Sequence, residues 1–252
     1  MPTFDRSKIV RGLAQGQILV PYLNRVLADF DEEWGFEYNS KEGDDGWHPS
    51  GDCVPPVTEL YAQATGQVVL RSFGPNTHKS FMVGHFWHQW LQYIVLEKLG
   101  LCDESAIERK GSQVWGTIPN MGGPRMKGLR DPYHYVTGTG DIAPLVTPKW
   151  RGIVDIKTMS TAHFNEPGLP ERYANTYLCQ INIYMHLFEE ERALILAVQK
   201  DSPHELKEFE FVRDDALINA ILDKWRFVSQ CIDEGWTPTK NDDATHKLPL
   251  KG

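Results

Sequence analysis

The residues best placed to do chemistry are Asp141, Asp155 and Lys157, in Gly138-Thr139-Gly140-Asp141 and Asp155-Ile156-Lys157-Thr158. Both stretches read as short strands, Gly140 to Val146 and Arg151 to Lys157. Thr147-Pro148-Lys149-Trp150 joins them, and its proline favours a turn. Side chains on a strand alternate between faces, so Ile153, Asp155 and Lys157 share one face and Val154 and Ile156 the other. If the ribbon folds about Pro148, Asp141 faces Asp155, with directly opposed Cβ atoms about 4.5–5.5 Å apart. Two carboxylates at that separation repel unless positive charge lies between them. A divalent cation fits there, Lys157 adds an ammonium, and the set is what metal-assisted phosphodiester hydrolysis requires. An Asp-x-Lys triplet taken alone is also what a solvated strand face looks like, so the reading depends on what the rest of the chain supplies. Pro144 withholds a ladder donor from the first strand and predicts an edge or a bend there.

The elements that must position these residues can be read from periodicity. Ser80 to Gly100 has a helical pattern of apolar residues that ends at glycine, and it carries Gly84, His85 and His88. Gly84 lies one turn before His88 and clears space beside it. Two histidines three apart could hold zinc, but no cysteine or histidine at zinc spacing accompanies them. Glu171 to Glu191 is a second helix with two stripes. Ala174, Leu178, Ile181, Met185 and Phe188 form an apolar face. Tyr173, Tyr177, Gln180 and Tyr184 run beside it, and Gln180 suits a polar partner because a buried amide needs one. Ile107 to Thr117, Ala193 to Gln199 and Leu206 to Phe211 read as strands, and Asp214 to Ile232 as a closing helix. Thr158 to Pro170 reads as an irregular connection. Ser50 or Asp52 is suited to cap a helix over Val57 to Thr65, or Ser50 to contact a phosphate. Arg71 and the glycine-rich Gly122-Gly123-Pro124-Arg125-Met126-Lys127 supply positive charge suited to a phosphate backbone, or to a solvated surface.

Arg6 to Phe36 has helical spacing broken at Pro21, which divides the chain into an N-terminal helical extension (1–46), a main domain (47–238) and a loose tail (239–252). The 252 residues are 41% hydrophobic and 24% charged, ordinary for one large globular domain with an appendage. No apolar run is long enough to span a bilayer, and residues 1–5 lack a secretory signal pattern, so a cytoplasmic protein is expected, in the host cytoplasm if viral. Cys53, Cys102, Cys179 and Cys231 are scattered, which fits reduced thiols rather than a disulfide framework. The net charge of −8 runs against the basic balance common in nucleic-acid binders, although an acidic metal site contributes to it.

Gly84-x-x-x-His88, Gly138-x-x-Asp141, Asp155-x-Lys157 and Gln180-x-x-x-Tyr184, in that order, resemble the motifs of the PD-(D/E)XK nuclease superfamily, in its RecB-like and phage-type exonuclease branch. The resemblance spans roughly Trp47 to Pro238. It implies an α/β fold with a restriction-endonuclease-like core, a central mixed β-sheet flanked by helices, to which the N-terminal helices are an addition. It implies a Mg²⁺ or Mn²⁺ site made by His88, Asp141, Asp155 and the Ile156 carbonyl, with Asp141, Asp155 and Lys157 catalytic. By the resemblance Gln180 and Tyr184 would position DNA; Tyr177 of the same stripe, Ser50, Arg71, Arg125 and Lys127 are further nucleic-acid contacts expected from their own positions in the chain. The second acid is Asp155 where the motif often has Glu. The implied activity is a metal-dependent DNA exonuclease of phage or bacterial recombination, repair or replication, with room for a single-strand-annealing or recombination partner. His48-Pro49-Ser50 to Cys53 is also similar to the start of CRISPR-associated iron–sulfur exonucleases. Those use one early and three late cysteines, and here Cys231 alone lies late, so no cluster is expected. The alternatives are a catalytically silent nucleic-acid-binding or assembly protein on the same fold, and a metal-dependent hydrolase of another substrate. The sequence leaves strand polarity and oligomeric state open.

Overall fold

The computed structural model describes residues 47–67, 75–114, 135–201 and 204–250. The chain forms two compact units, Met1–Ser40 with Arg71–Met82 and Lys41–Leu70 with Val83–Gly252; the sheet lies within the second. The expected N-terminal helices and the contacts assigned to Arg71, Arg125 and Lys127 fall outside the described residues.

In chain order the elements are α1 (Pro49–Asp52), α2 (Val57–Ala64), α3 (Pro75–Tyr93, continued by a wider turn over Ile94–Lys98), β1 (Ile107–Val114), β2 (Tyr135–Val146), β3 (Arg151–Met159), α4 (Thr161–Phe164), α5 (Glu171–Leu187), β4 (Arg192–Gln199), β5 (Leu206–Val212), α6 (Asp215–Glu234) and α7 (Lys240–Thr245). The strands form one mixed sheet in the order β1-β2-β3-β4-β5. The β3–β4 pair is parallel and the other three pairs are antiparallel. With helices on both faces, this is the expected α/β architecture and is consistent with a restriction-endonuclease-like core.

The central strand β3 buries both faces, as a strand in a parallel pair covered on two sides must. Ile153 packs with Ile181, Tyr184, Met185 and Phe188 of α5, together with Ala193 and Ile195 of β4. Val154 and Ile156 pack with Leu91 of α3, Ile142 and Val198. The sheet is therefore held between α3 and α5. The far side of α5, through Leu178, Cys179 and Ile183, packs on α2 and α6 around Leu60, Ile221 and Trp225. The apolar stripe expected on one face of α5 is thus shared between two layers, because the helix is covered on two sides.

Several glycines lie where a side chain would crowd a neighbour, among them two on β3 and α3, which carry the site. A Cβ on Gly152 would run into the Arg192 carbonyl oxygen, where β3 begins to run beside β4. A Cβ on Gly84 would lie 3.1 Å from Thr158 Oγ1, so α3 comes down onto β3 at the turn before His88.

Several expectations need correction. Residues 158–170 contain the short helix α4. The predicted Ser50 or Asp52 cap for α2 is not formed: α2 begins after Pro56, and Ser50 lies exposed within α1. The Asp52 carboxylate instead accepts the His48 amide at 2.8 Å. The first turn of α2 is satisfied by Asp243, whose two oxygens accept Thr58 N and Thr58 Oγ1 at 3.0 and 2.9 Å. The 239–252 tail is not loose over its described part. It forms α7 with a capping box at Thr239 and Asp242, and Leu248 is buried in the core beside α6. Helix α6 is bounded by an Asp214 cap on Leu217 N and by Gly235 at φ 72°. Its Lys224 is 1% exposed, and the ammonium donates to the Cys53 carbonyl and, at 3.0 Å, to the Pro55 carbonyl.

Candidate metal centre

The geometry at Asp141 starts from a change of register. Near the turn, β2 and β3 pair as Val146↔Arg151 and Leu145↔Gly152; toward the site they pair as Ile142↔Val154. An extra residue of β2 at Ala143-Pro144, with a cis peptide between them, takes up the difference. The proline expected to mark an edge or a bend sits in a bulge of an internal strand. The bulge places Asp141 next to the partner position of Asp155, as predicted. The Asp141 carboxylate turns into the space between the strands, where Oδ2 accepts the Ile156 amide at 2.5 Å.

Asp155 and Lys157 lie on the α5 side of β3. Asp155 is 3% exposed, and the Lys157 ammonium donates to its Oδ2 at 2.8 Å and its Oδ1 at 3.1 Å. Lys157 also lies 5.5 Å over the Tyr177 ring. Asp155 is pushed above the ordinary carboxylate range, first by burial and then by the Asp141 charge, against the pull of Lys157. Lys157 is held above the ordinary lysine value: burial opposes its charge, and the Asp155 and Asp141 carboxylates outweigh burial. One ammonium is shared between two buried carboxylates, so the site is short of positive charge.

From the other face, α3 delivers His88. Its Nδ1 is 3.5 Å from Asp141 Oδ1. Burial works against the imidazolium, but the hydrogen bond and charge of Asp141 prevail and raise its pKa. Glu108 of β1 completes a group with His88 and Asp141 whose ligand atoms all lie within 4.8 Å of one another. Glu108 was not anticipated. It has φ 46°, a left-handed backbone rare for a side chain other than glycine, and the β1–β2 register passes from Ile107↔Ile142 to Arg109↔Gly140 around it. The unbroken register sets Glu108 across from Asp141, so the pairing of β1 with β2 is what brings it to the site. Gln92 was also missed, although it stands one helical turn after His88.

An imidazole nitrogen and carboxylate oxygens converging where negative charge is in excess match the donor chemistry of a divalent cation such as Mg²⁺ or Mn²⁺. His88, Glu108 and Asp141 would hold it on one side. Asp155 is next along β3 beyond the Ile156 amide; Lys157 donates to both of its oxygens, and each oxygen keeps a further lone pair.

The remaining predicted residues divide by accessibility. Gln180 and Tyr184 are 4% and 5% exposed and bonded to each other, Nε2 to OH at 2.9 Å. They form an internal wall facing Asp155 rather than a surface, and burial raises the Tyr184 pKa. Tyr177 is half-buried and stacked on Tyr173, with ring centroids 5.6 Å apart, so these two carry the open part of the tyrosine stripe. Ser50 is exposed on α1. Cys53, Cys179 and Cys231 are buried with free thiols, and Cys102 is half-buried. No helix among the described residues is long and apolar enough to cross a membrane.

The fold is similar to that in the crystal structure of SSO0001, with a TM-score of 0.50 and 14% identity over 82% of this chain and 86% of that one. Two further structures align at lower scores. They are an alkaline exonuclease, LHK-Exo, from Laribacter hongkongensis (TM-score 0.40, 12% identity, 81% of this chain and 96% of that) and a phage related exonuclease from Haemophilus somnus 129PT (TM-score 0.32, 16% identity, 85% and 83%). The SSO0001 likeness concerns the fold alone, and the other two are too distant to bear on it. No family model and no curated protein matches the chain.

Proposed function

We propose that the protein is a Mg²⁺- or Mn²⁺-dependent deoxyribonuclease, acting as an exonuclease in phage or bacterial DNA recombination, repair or replication. The observation that carries the reading is the convergence of His88, Glu108 and Asp141, with Asp141 bonded to the Ile156 amide and the neighbouring Asp155 bonded to Lys157.

His88, Asp141 and Asp155, with the Ile156 carbonyl and Glu108, would hold the ion. A divalent cation bound there supplies charge that neutralises the phosphate and lowers the pKa of a nearby water. Hydrolysis then requires a water oxygen to attack phosphorus as the P–O bond to the leaving oxygen breaks. Lys157 stays protonated between two carboxylates, so it serves as a fixed cation beside the developing phosphate charge rather than as a base. Asp155 anchors that ammonium. Tyr177 flanks Lys157, and with Tyr173 it offers ring faces to the bound strand.

The test is digestion of linear and circular DNA, end-labelled on either strand, with Mg²⁺ or Mn²⁺. Release from the ends of linear DNA alone is expected. Asp155→Asn and Lys157→Ala should each lower the rate at least about 100-fold, the scale of losing a group that acts on transition-state charge. Wild-type cleavage by either variant would refute the site assignment. DNA binding without cleavage in both metals would support the non-catalytic reading instead.

A further inference from the structure

We infer that Gln92 is a positioning residue of the metal centre, which holds Glu108 as a ligand and fixes it to the strand that carries Asp141. The inference rests on the nuclease reading above and extends it to two residues that the motifs do not include.

Gln92 is 6% exposed. Its amide nitrogen donates to Glu108 Oε1 at 2.6 Å and to the Asp141 carbonyl at 3.1 Å, which uses both of its hydrogens. These contacts tie three elements together. Helix α3 carries His88 and Gln92 on one face, β1 carries Glu108, and β2 carries Asp141. The neighbours of Gln92 on the buried face of α3 are Leu91 and the partly buried Val95, so an apolar residue would suit the packing. An amide there is accounted for by what it holds. Glu108 is exposed, and its backbone is left-handed at φ 46°; without the amide its carboxylate would be free to leave His88 and Asp141 for solvent. A carboxylate held in place before the ion arrives binds it more tightly, because the ordering cost is already met. Removing an outer partner of a metal ligand typically lowers metal affinity about 10–100-fold.

The experiment is Mn²⁺ binding to the full chain, by calorimetry and by the electron paramagnetic resonance signal of free Mn²⁺. It compares wild type, Gln92→Met, Glu108→Gln and the double variant, with the melting temperature of each metal-free protein recorded alongside. Gln92→Met keeps the volume and removes the donor. The expected result is an increase in Kd of about 10-fold or more in each single variant. The double variant should be no weaker than Glu108→Gln alone, since the two residues act as one unit. Gln92→Glu keeps the shape, sets a carboxylate against Glu108 and should also weaken binding, which preserves the test should Gln92→Met fail to fold. Unchanged Mn²⁺ affinity in a folded Gln92 variant, or losses that multiply in the double variant, would overturn the inference and leave the nuclease reading standing. A wild-type protein that binds no Mn²⁺ would overturn both.

Discussion

Lys224 gives the chain a measurable dependence of stability on pH. Burial drives its pKa from the ordinary 10.5 down to about 8, although the nearby Cys53, Cys179 and Asp52 oppose the shift. Below about pH 8 both folded and unfolded chains hold the proton, and folding must bury an ammonium whose recorded partners are carbonyls. Between about pH 8 and the ordinary lysine value, the unfolded chain keeps a proton that the folded chain has released. Protonation then favours unfolding less and less, so stability rises with pH across this window. A shift of this size corresponds to a penalty of roughly 3.4 kcal/mol near neutral pH, falling to roughly 0.8 near pH 10, a gain of about 2.5 kcal/mol. The buried thiols of Cys53, Cys179 and Cys231 act in the opposite sense, because their pKa values are raised in the fold and the unfolded thiols ionise first. Comparison with Lys224→Met removes most of that contribution. Urea unfolding of both proteins at about pH 7 and about pH 10 should show wild type gaining about 2.5 kcal/mol relative to the variant. A difference that does not change with pH would refute the reasoning, and would mean that the carbonyls and nearby thiols stabilise the ammonium as well as water does.

Two further outcomes follow from packing. Gly152→Ala places a Cβ against the Arg192 carbonyl, with the Trp150 ring also close, and the strand backbone has little room to relax, so a loss of about 3 kcal/mol is expected. A thermal melt coinciding with wild type would show that the β3–β4 approach is looser than described. Asp243→Ala removes the acceptors for the first turn of α2 and should cost about 1 kcal/mol, read as a lower urea midpoint with unchanged slope. An unaffected midpoint would mean that water replaces the cap at no cost.

What could be read from the sequence was local. Apolar periodicity and turn signals placed α3, α5, α6 and strands β2 to β5, although α3 and β2 begin at Pro75 and Tyr135, before the expected Ser80 and Gly140. The alternation along Arg151 to Lys157 put Ile153, Asp155 and Lys157 on one face and Val154 and Ile156 on the other; in the fold Ile153 and Lys157 meet α5, and Val154 and Ile156 meet α3. The register that brings Asp141 beside Asp155 was also anticipated, although it arises through a bulge rather than from a regular hairpin about Pro148. What escaped depends on contacts between distant segments or on irregular backbone. Glu108 reaches the site through the pairing of β1 with β2, two strands about twenty residues apart in the chain. The α2 cap comes from a residue 185 positions away. Gln180 and Tyr184 have the spacing of a surface stripe, but α5 is covered on two sides and encloses them. Gln92 had a usable signal, its i+4 relation to His88, which becomes informative once Glu108 is in view.

The bulge in β2 has a practical consequence for recognising distant relatives. Counted from the Val146↔Arg151 end of the ladder, a regular ribbon would set Asp141 across from Ile156, whose side chain belongs to the opposite face. A comparison that anchors on the hairpin and assumes an unbroken ladder will therefore be out of phase by one position at the acid. Relatives with no extra residue in this strand should carry their first acid displaced by one place along the chain, and a search that permits that offset can find them.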